Sequence, residues 1–100
     1  MSARKQLILA PLAQDDYVDI RLYTEEAWGE AQWADYEDAL ARALDALADN
    51  PLLGRARDDL RPGARTLRVR EHVIVYDVTP DLVRVARILH GRRDLHRALT

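Results

Sequence analysis

The side chains best equipped for chemistry stand together near the C-terminal end, where Arg87, His90, Arg92 and Arg93 fall within Leu82-Val83-Arg84-Val85-Ala86-Arg87-Ile88-Leu89-His90-Gly91-Arg92-Arg93-Asp94. A metal-free ribonuclease needs a base for the 2′-hydroxyl, a cation for the in-line phosphorane and an acid for the leaving oxygen, and an imidazole among guanidiniums can supply them. The same groups also suit recognition without catalysis. A guanidinium fork binds carboxylates and phosphates bidentately, and a histidine at a strand end ordinarily serves as a hydrogen-bonding residue. Arg55 and Arg57 in a loop, and Arg68 and Arg70 on a strand, add two pairs of cations that share a side only where the backbone is extended. Other chemistries lack their residues. His72, His90 and His96 have no i, i+4 partner among themselves and no cysteine beside them, which excludes a structural metal site. The serine and threonines lie in no glycine-rich elbow, and Gly29, Gly54, Gly63 and Gly91 are too dispersed for a phosphate-cradling loop. No cofactor is implied.

The elements that must position these residues follow from periodicity. Gln6-Leu7-Ile8-Leu9 reads as a first strand, and Pro11 suits the first position of a helix. From there Tyr17, Ile20, Thr24 and Ala27 recur at helical spacing with Leu12 and Trp28 alongside, and Asp15, Asp16 and Asp19 favour the helix dipole. Gly29 stops this helix. Trp33, Tyr36, Leu40, Ala43, Leu44 and Leu47 carry a second one, which Asn50-Pro51 ends, asparagine being able to take a left-handed cap. The large aromatics Tyr17, Trp28, Trp33 and Tyr36 are expected mostly in the core of this hairpin. Pro51 to Gly63 reads as a loop, and Arg65 to Arg70 alternates as a half-buried strand. His72 to Val78 is apolar enough for a central strand, and Leu82 to His90 returns after Thr79-Pro80-Asp81. The expected fold is therefore α+β, a single domain over residues 1–100. Its order is β-α-α-β-β-β, with a helical hairpin on one face of a small antiparallel sheet and a short helical tail after Arg92.

The chain has 100 residues and a net charge of −2, divided unevenly. Residues 1–53 hold four basic and eleven acidic side chains, and residues 54–100 hold eleven basic and six acidic. Such asymmetry fits an acidic scaffold with a cationic working face, and Lys5 is the one lysine, so the cations are almost all guanidiniums. Helices that carry acids on their wet side would give the same division. The absence of cysteine fits a reducing compartment, and no stretch is long and apolar enough for a signal peptide or membrane span. The sequence thus predicts a cytoplasmic protein without a membrane partner.

Taken in order, Trp28-Gly29, Asn50-Pro51-Leu52-Leu53-Gly54-Arg55-Ala56-Arg57, Leu60-Arg61-Pro62-Gly63-Ala64-Arg65, His72-Val73-Ile74-Val75-Tyr76 and Arg87-Ile88-Leu89-His90-Gly91-Arg92-Arg93-Asp94 resemble the ParE toxins of the RelE/ParE superfamily. The resemblance covers nearly the whole chain. It implies the toxin of a bacterial type II toxin-antitoxin pair, held by a small antitoxin with a DNA-binding head and an acidic C-terminal segment. ParE-type members stabilise the cleaved-DNA state of DNA gyrase, whereas RelE-type members cut messenger RNA on the ribosome. The nuclease branch tends to carry arginine after the central-strand histidine, where this chain has Val73, and an acid-base pair at the end, where Gly91 follows His90. A pI near 5.9 is also poor for binding ribosomal RNA, so the resemblance favours gyrase as target. On this basis Arg87, His90, Arg92, Arg93, Arg55 and Arg57 are expected to meet the target. Trp28, Trp33, Tyr36, Arg68 and Arg70 are expected to meet the antitoxin. A ribosome-dependent nuclease and a non-toxic antitoxin-binding member are the alternatives.

Overall fold

A computed structural model describes residues 4–100. Its elements are β1 (Gln6–Leu9), α1 (Pro11–Trp28), α2 (Glu30–Asp49), β2 (Arg55–Ala56), β3 (Arg65–Val69), β4 (His72–Val78), β5 (Leu82–His90) and α3 (Leu95–Ala98). Pro11 stands at the first turn of α1, where its missing N–H costs nothing. Gly29 alone joins the helices. At φ +92° it occupies backbone that L side chains rarely adopt, and its N–H closes α1 on the carbonyl of Glu25 at 2.9 Å. Asn50 ends α2 at φ −135°, extended rather than left-handed, so Pro51 and not an asparagine cap supplies the stop.

Both helices lie on one face of the sheet and bury Ala13 and Ile20 of α1 with Trp33, Tyr36, Leu40 and Leu47 of α2 against Ile74, Tyr76, Val83, Val85 and Ile88. The expected face of α1 holds at Tyr17, Ile20 and Thr24 and fails towards the two ends of the helix. Ala13 is fully buried, whereas Leu12, Ala27 and Trp28 are exposed, Trp28 by 71 %. Leu12 and Trp28 fall on opposite flanks of the helical wheel, too far from Ile20 to share its stripe.

The sheet runs β1-β5-β4-β3-β2 and differs from expectation in two respects. It is mixed, not purely antiparallel, because β1 pairs in parallel with β5, Gln6 to Leu9 opposite Leu82 to Val85. A nine-residue strand that is apolar on both faces needs a neighbour on its outer edge, and β1 is the strand left over. The second difference is β2, whose two residues turn the expected loop back to pair antiparallel with Thr66 and Arg65.

One irregularity decides which side chains of β5 are core. Val75 stands opposite Arg87 and Tyr76 opposite Val85, so Ala86 is an inserted bulge residue. Without it, Val83, Val85, Arg87 and Leu89 would share a face. With it, Ile88 joins Val83 and Val85 beneath the helices while Arg87 and Leu89 move to the other side.

Candidate functional site

Arg87 has a specific partner. Past the end of β1 the edge of β5 lacks a strand, and Asp16 of α1 fills the gap. One Asp16 oxygen accepts from the Ile88 backbone N–H and from Arg87 Nε, at 2.9 and 2.8 Å, and the other accepts from Arg87 Nη2 at 2.9 Å. The two side chains are only 15 % and 11 % exposed. The carboxylate raises the pKa of the guanidinium against the opposing effect of burial. Arg87 Nη1 also donates to the Ala98 carbonyl at 3.3 Å, which fastens α3 to the sheet. Arg87 was expected to meet the target, but its fork is consumed inside the molecule. Asp16 was expected to serve the helix dipole, but it lies beyond the first turn and faces inward.

Cross-strand pairing brings His72 opposite His90 at the end of β4 and β5, with ring centroids 5.4 Å apart and edge to face. Tyr36 of α2 completes the row. Its ring lies 5.5 Å from that of His72, and its hydroxyl bonds His72 Nδ1 while donating to the Val69 carbonyl at 3.3 Å. Burial first, and then the Coulombic effect of His90, lower the pKa of His72. Burial also raises the pKa of the Tyr36 phenol. His90 is exposed, and its Nδ1 accepts the Arg92 N–H at 3.1 Å, which leaves Nε2 for a ligand.

A cleft of about 490 Å³ opens beside this row, walled by Tyr23, Trp28, Gln32, Glu71 and the two histidines. A smaller one of about 310 Å³ adjoins it through Tyr23, His72 and His90 and reaches Asp16, Asp19 and Arg93. Tyr23 is 69 % exposed and Trp28 71 %, so the rim is aromatic. Its charges are chiefly acidic. Among the described residues no group of three or more His, Cys, Asp and Glu side chains could hold a metal ion.

The remaining expected site residues separate. Trp33 and Tyr36 are each 5 % exposed and belong to the core, Trp33 packing edge to face on Tyr17. Arg70 takes the left-handed turn position at φ +52°, pairs with Asp35 at 2.8 Å and lies over the Tyr36 ring. Arg68 folds back onto the Arg70 carbonyl at 2.9 Å. Arg57 pairs with Asp59 at 2.9 Å, which drops the Asp59 pKa to about 2. Arg55, Arg92 and Arg93 are exposed and have no side-chain partner among the described residues.

Sequence reasoning missed four residues that shape this region. Asp16 carries no signal beyond its place on a helix. Glu71 and Tyr23 join the cleft only through the packing of α1 against the β4–β5 end. The fourth, Tyr76, explains the Asn50 to Gly54 motif: its buried hydroxyl donates to the Pro51 carbonyl and accepts the Gly54 N–H, both at 2.8 Å. A Cβ at Gly54 would come within 2.6 Å of that hydroxyl and 2.7 Å of the Thr66 carbonyl, so glycine is required there.

Comparison with known proteins adds to this geometry. Residues 7–95 match the family model described as ParE toxin of type II toxin-antitoxin system, parDE. A protein named Toxin ParE1 from Mycobacterium tuberculosis is 40 % identical over 100 residues, covering 99 % of this chain and all of the relative. Another Toxin ParE1, from Caulobacter vibrioides, is 35 % identical over 82 residues, covering 82 % of this chain and 84 % of its own. A solved structure described as the chromosomal ParDE TA system from P. aeruginosa superposes with a TM-score of 0.75 at 19 % identity, over 89 % of this chain and 98 % of that one. The YoeB dimer structure from Staphylococcus aureus superposes with a TM-score of 0.64 at 20 % identity, over 89 % and 99 %. At these identities the two structures share the fold.

Proposed function

The chain belongs to the ParE family of toxins of type II toxin-antitoxin systems, and from that premise we propose that it acts by binding DNA gyrase rather than by catalysis, until a cognate antitoxin neutralises it. The observation that carries this reading is the electrostatics of the histidine cleft. A phosphodiester substrate needs cations around the imidazoles, yet Arg87 is locked to Asp16 and the walls bring Asp19 and Glu71 against the single guanidinium of Arg93. An aromatic rim above acidic groups suits a protein contact instead. Binding of this kind stops an enzyme by differential affinity for one of its states.

On this reading His90, Arg92 and Arg93 form the target-facing edge, with Arg55 as an outlying contact on β2. Trp28 and Tyr23 offer the antitoxin an apolar anchor at the mouth of the cleft. Trp33, Tyr36, Arg68 and Arg70 support that surface from behind. The C-terminal segment of the antitoxin would lie across the hairpin, its acidic groups meeting the open arginines. A cytoplasmic location follows from such partners, and no helix among the described residues is long and apolar enough to cross a membrane.

Purified protein added to a gyrase supercoiling reaction should inhibit it or leave cleaved plasmid, and stoichiometric antitoxin should restore the reaction. Fully active gyrase at toxin excess would reject the reading. One observation favours a second reading, a ribosome-dependent ribonuclease: two imidazoles and a phenol stand in one row beside a cleft. Transcript cleavage that His90→Ala abolishes would establish that alternative, whereas intact transcripts in growth-arrested cells would exclude it. Unimpaired growth after induction without antitoxin would mark the chain as a non-toxic antitoxin binder.

A further inference from the structure

Fifteen lysine and arginine side chains do not contribute equally to the surface charge. Arg4, Arg21, Arg42, Arg57, Arg70, Arg84 and Arg87 are paired with carboxylates. Lys5, Arg65 and Arg68 donate to backbone carbonyls. What remains without a partner among the described residues is Arg55, Arg61, Arg92, Arg93 and Arg97, and four of these stand around α3. Arg93 and Arg97 flank one recess, floored only by Asp94 and Ala98. Arg61 lines the neighbouring recess with Ala98 and Leu99, and Arg92 precedes Arg93 on the same turn.

On its cleft side Arg93 faces Asp19, and the carboxylates on the α3 side are engaged elsewhere. Asp94 caps α3 by accepting the Arg97 N–H at 3.3 Å, and Asp59 is held by Arg57 and His96 at 2.9 and 3.2 Å. From this census we propose that the α3 end of the molecule is a nucleic-acid backbone contact, with Arg92, Arg93 and Arg97 bound to phosphates and Arg61 as a flanking cation. Protein interfaces, even those rich in arginine, are built round aromatic or large apolar anchors. The Arg93–Arg97 recess has no such anchor, and guanidiniums without apolar company match phosphate oxygens, which need only charge and hydrogen-bond donors. The aromatic cleft beside His90 and the arginine end at α3 are thereby two contacts of different chemistry. The inference deepens the proposed function and rests on it in one respect: the DNA held by the target enzyme is the nucleic acid meant.

The test measures binding of the full chain to a short labelled DNA duplex by fluorescence anisotropy between about 50 and 200 mM salt. Three or four phosphate contacts give a log–log slope of about −3 to −4. The variant Arg92→Gln/Arg93→Gln/Arg97→Gln should flatten that slope by about three and lose at least about tenfold in affinity at the lowest salt. Arg42→Gln, on α2 and paired there with Asp38, should bind like the parent. All four side chains are exposed, and an unchanged circular dichroism spectrum and melting temperature would verify folding. Equal binding by parent and triple variant overturns the inference, as does tighter binding to a polyglutamate peptide than to the duplex, which would assign the arginines to an acidic protein. Gyrase inhibition measured on the same samples separates the two readings. Inhibition without duplex binding rejects this inference and leaves the gyrase reading intact, and duplex binding without inhibition does the reverse.

Discussion

Replacing Asp16 by alanine tests whether the toxin surface rests on an internal ion pair. The substitution removes a carboxylate that accepts three hydrogen bonds, two from Arg87 and one from the Ile88 backbone. Both side chains are largely shielded, so the guanidinium cannot recover its loss from water. Breaking a pair this shielded costs about 3–5 kcal/mol, because one charge is left desolvated and alone. A domain of this size gains only about 5–15 kcal/mol in total, and each kcal/mol moves its melting temperature by roughly 4–8 °C. Asp16→Ala should therefore melt more than about 12 °C below the parent in a thermal scan followed by circular dichroism. Asp38→Ala, which opens the Asp38–Arg42 pair whose side chains are 61 % and 81 % exposed, should cost less than about 1 kcal/mol. The double variant Asp16→Leu/Arg87→Met should recover part of the loss, since it leaves no buried charge, although the Ile88 N–H stays unpaired at about 1–3 kcal/mol. A loss below about 1 kcal/mol for Asp16→Ala, level with the surface control, would refute the assignment of Arg87 to structure and return it to the target-binding surface.

Three further outcomes are expected. Because the folded pKa of His72 lies below its unfolded value, stability should be fully present above pH 6.5 and fall as the pH drops toward the folded pKa; His72→Gln should remove that part of the acid sensitivity in urea titrations at pH 7 and pH 5. Gly54→Ala should lower the urea midpoint sharply, as its Cβ meets a buried hydroxyl and a carbonyl, and Tyr76→Phe should cost about 1–3 kcal/mol by leaving the Gly54 N–H unsatisfied; a neutral Gly54→Ala would contradict the packing. Trp33→Ala should cost about 3–5 kcal/mol, whereas Trp28→Ala should change stability by less than about 0.5 kcal/mol yet weaken antitoxin capture in calorimetry; equal stability losses would contradict their placement.

The sequence by itself determined the local structure, because the signals concerned are local. Pro11, Gly29 and Pro51 set the helix limits through their own backbone restrictions, and the apolar periods placed the hairpin and the β3–β5 meander within a residue or two of where they lie. Exposed arginines such as Arg92 and Arg93 were also legible, since glycine and polar neighbours give them nothing to pack on. The tertiary structure alone decided which of the other candidates were free. A carboxylate 71 positions away in the chain claimed Arg87, and the bulge at Ala86 reversed the phase of β5, which no alternation in the sequence announces. The crossing of α1 over the β4–β5 end likewise set Trp28 outside and Trp33 inside, although both tryptophans sit at helical spacing on one hairpin. Local chemistry fixes what each segment becomes. Only the packing of distant segments settles which charges stay paired and which remain open to a partner.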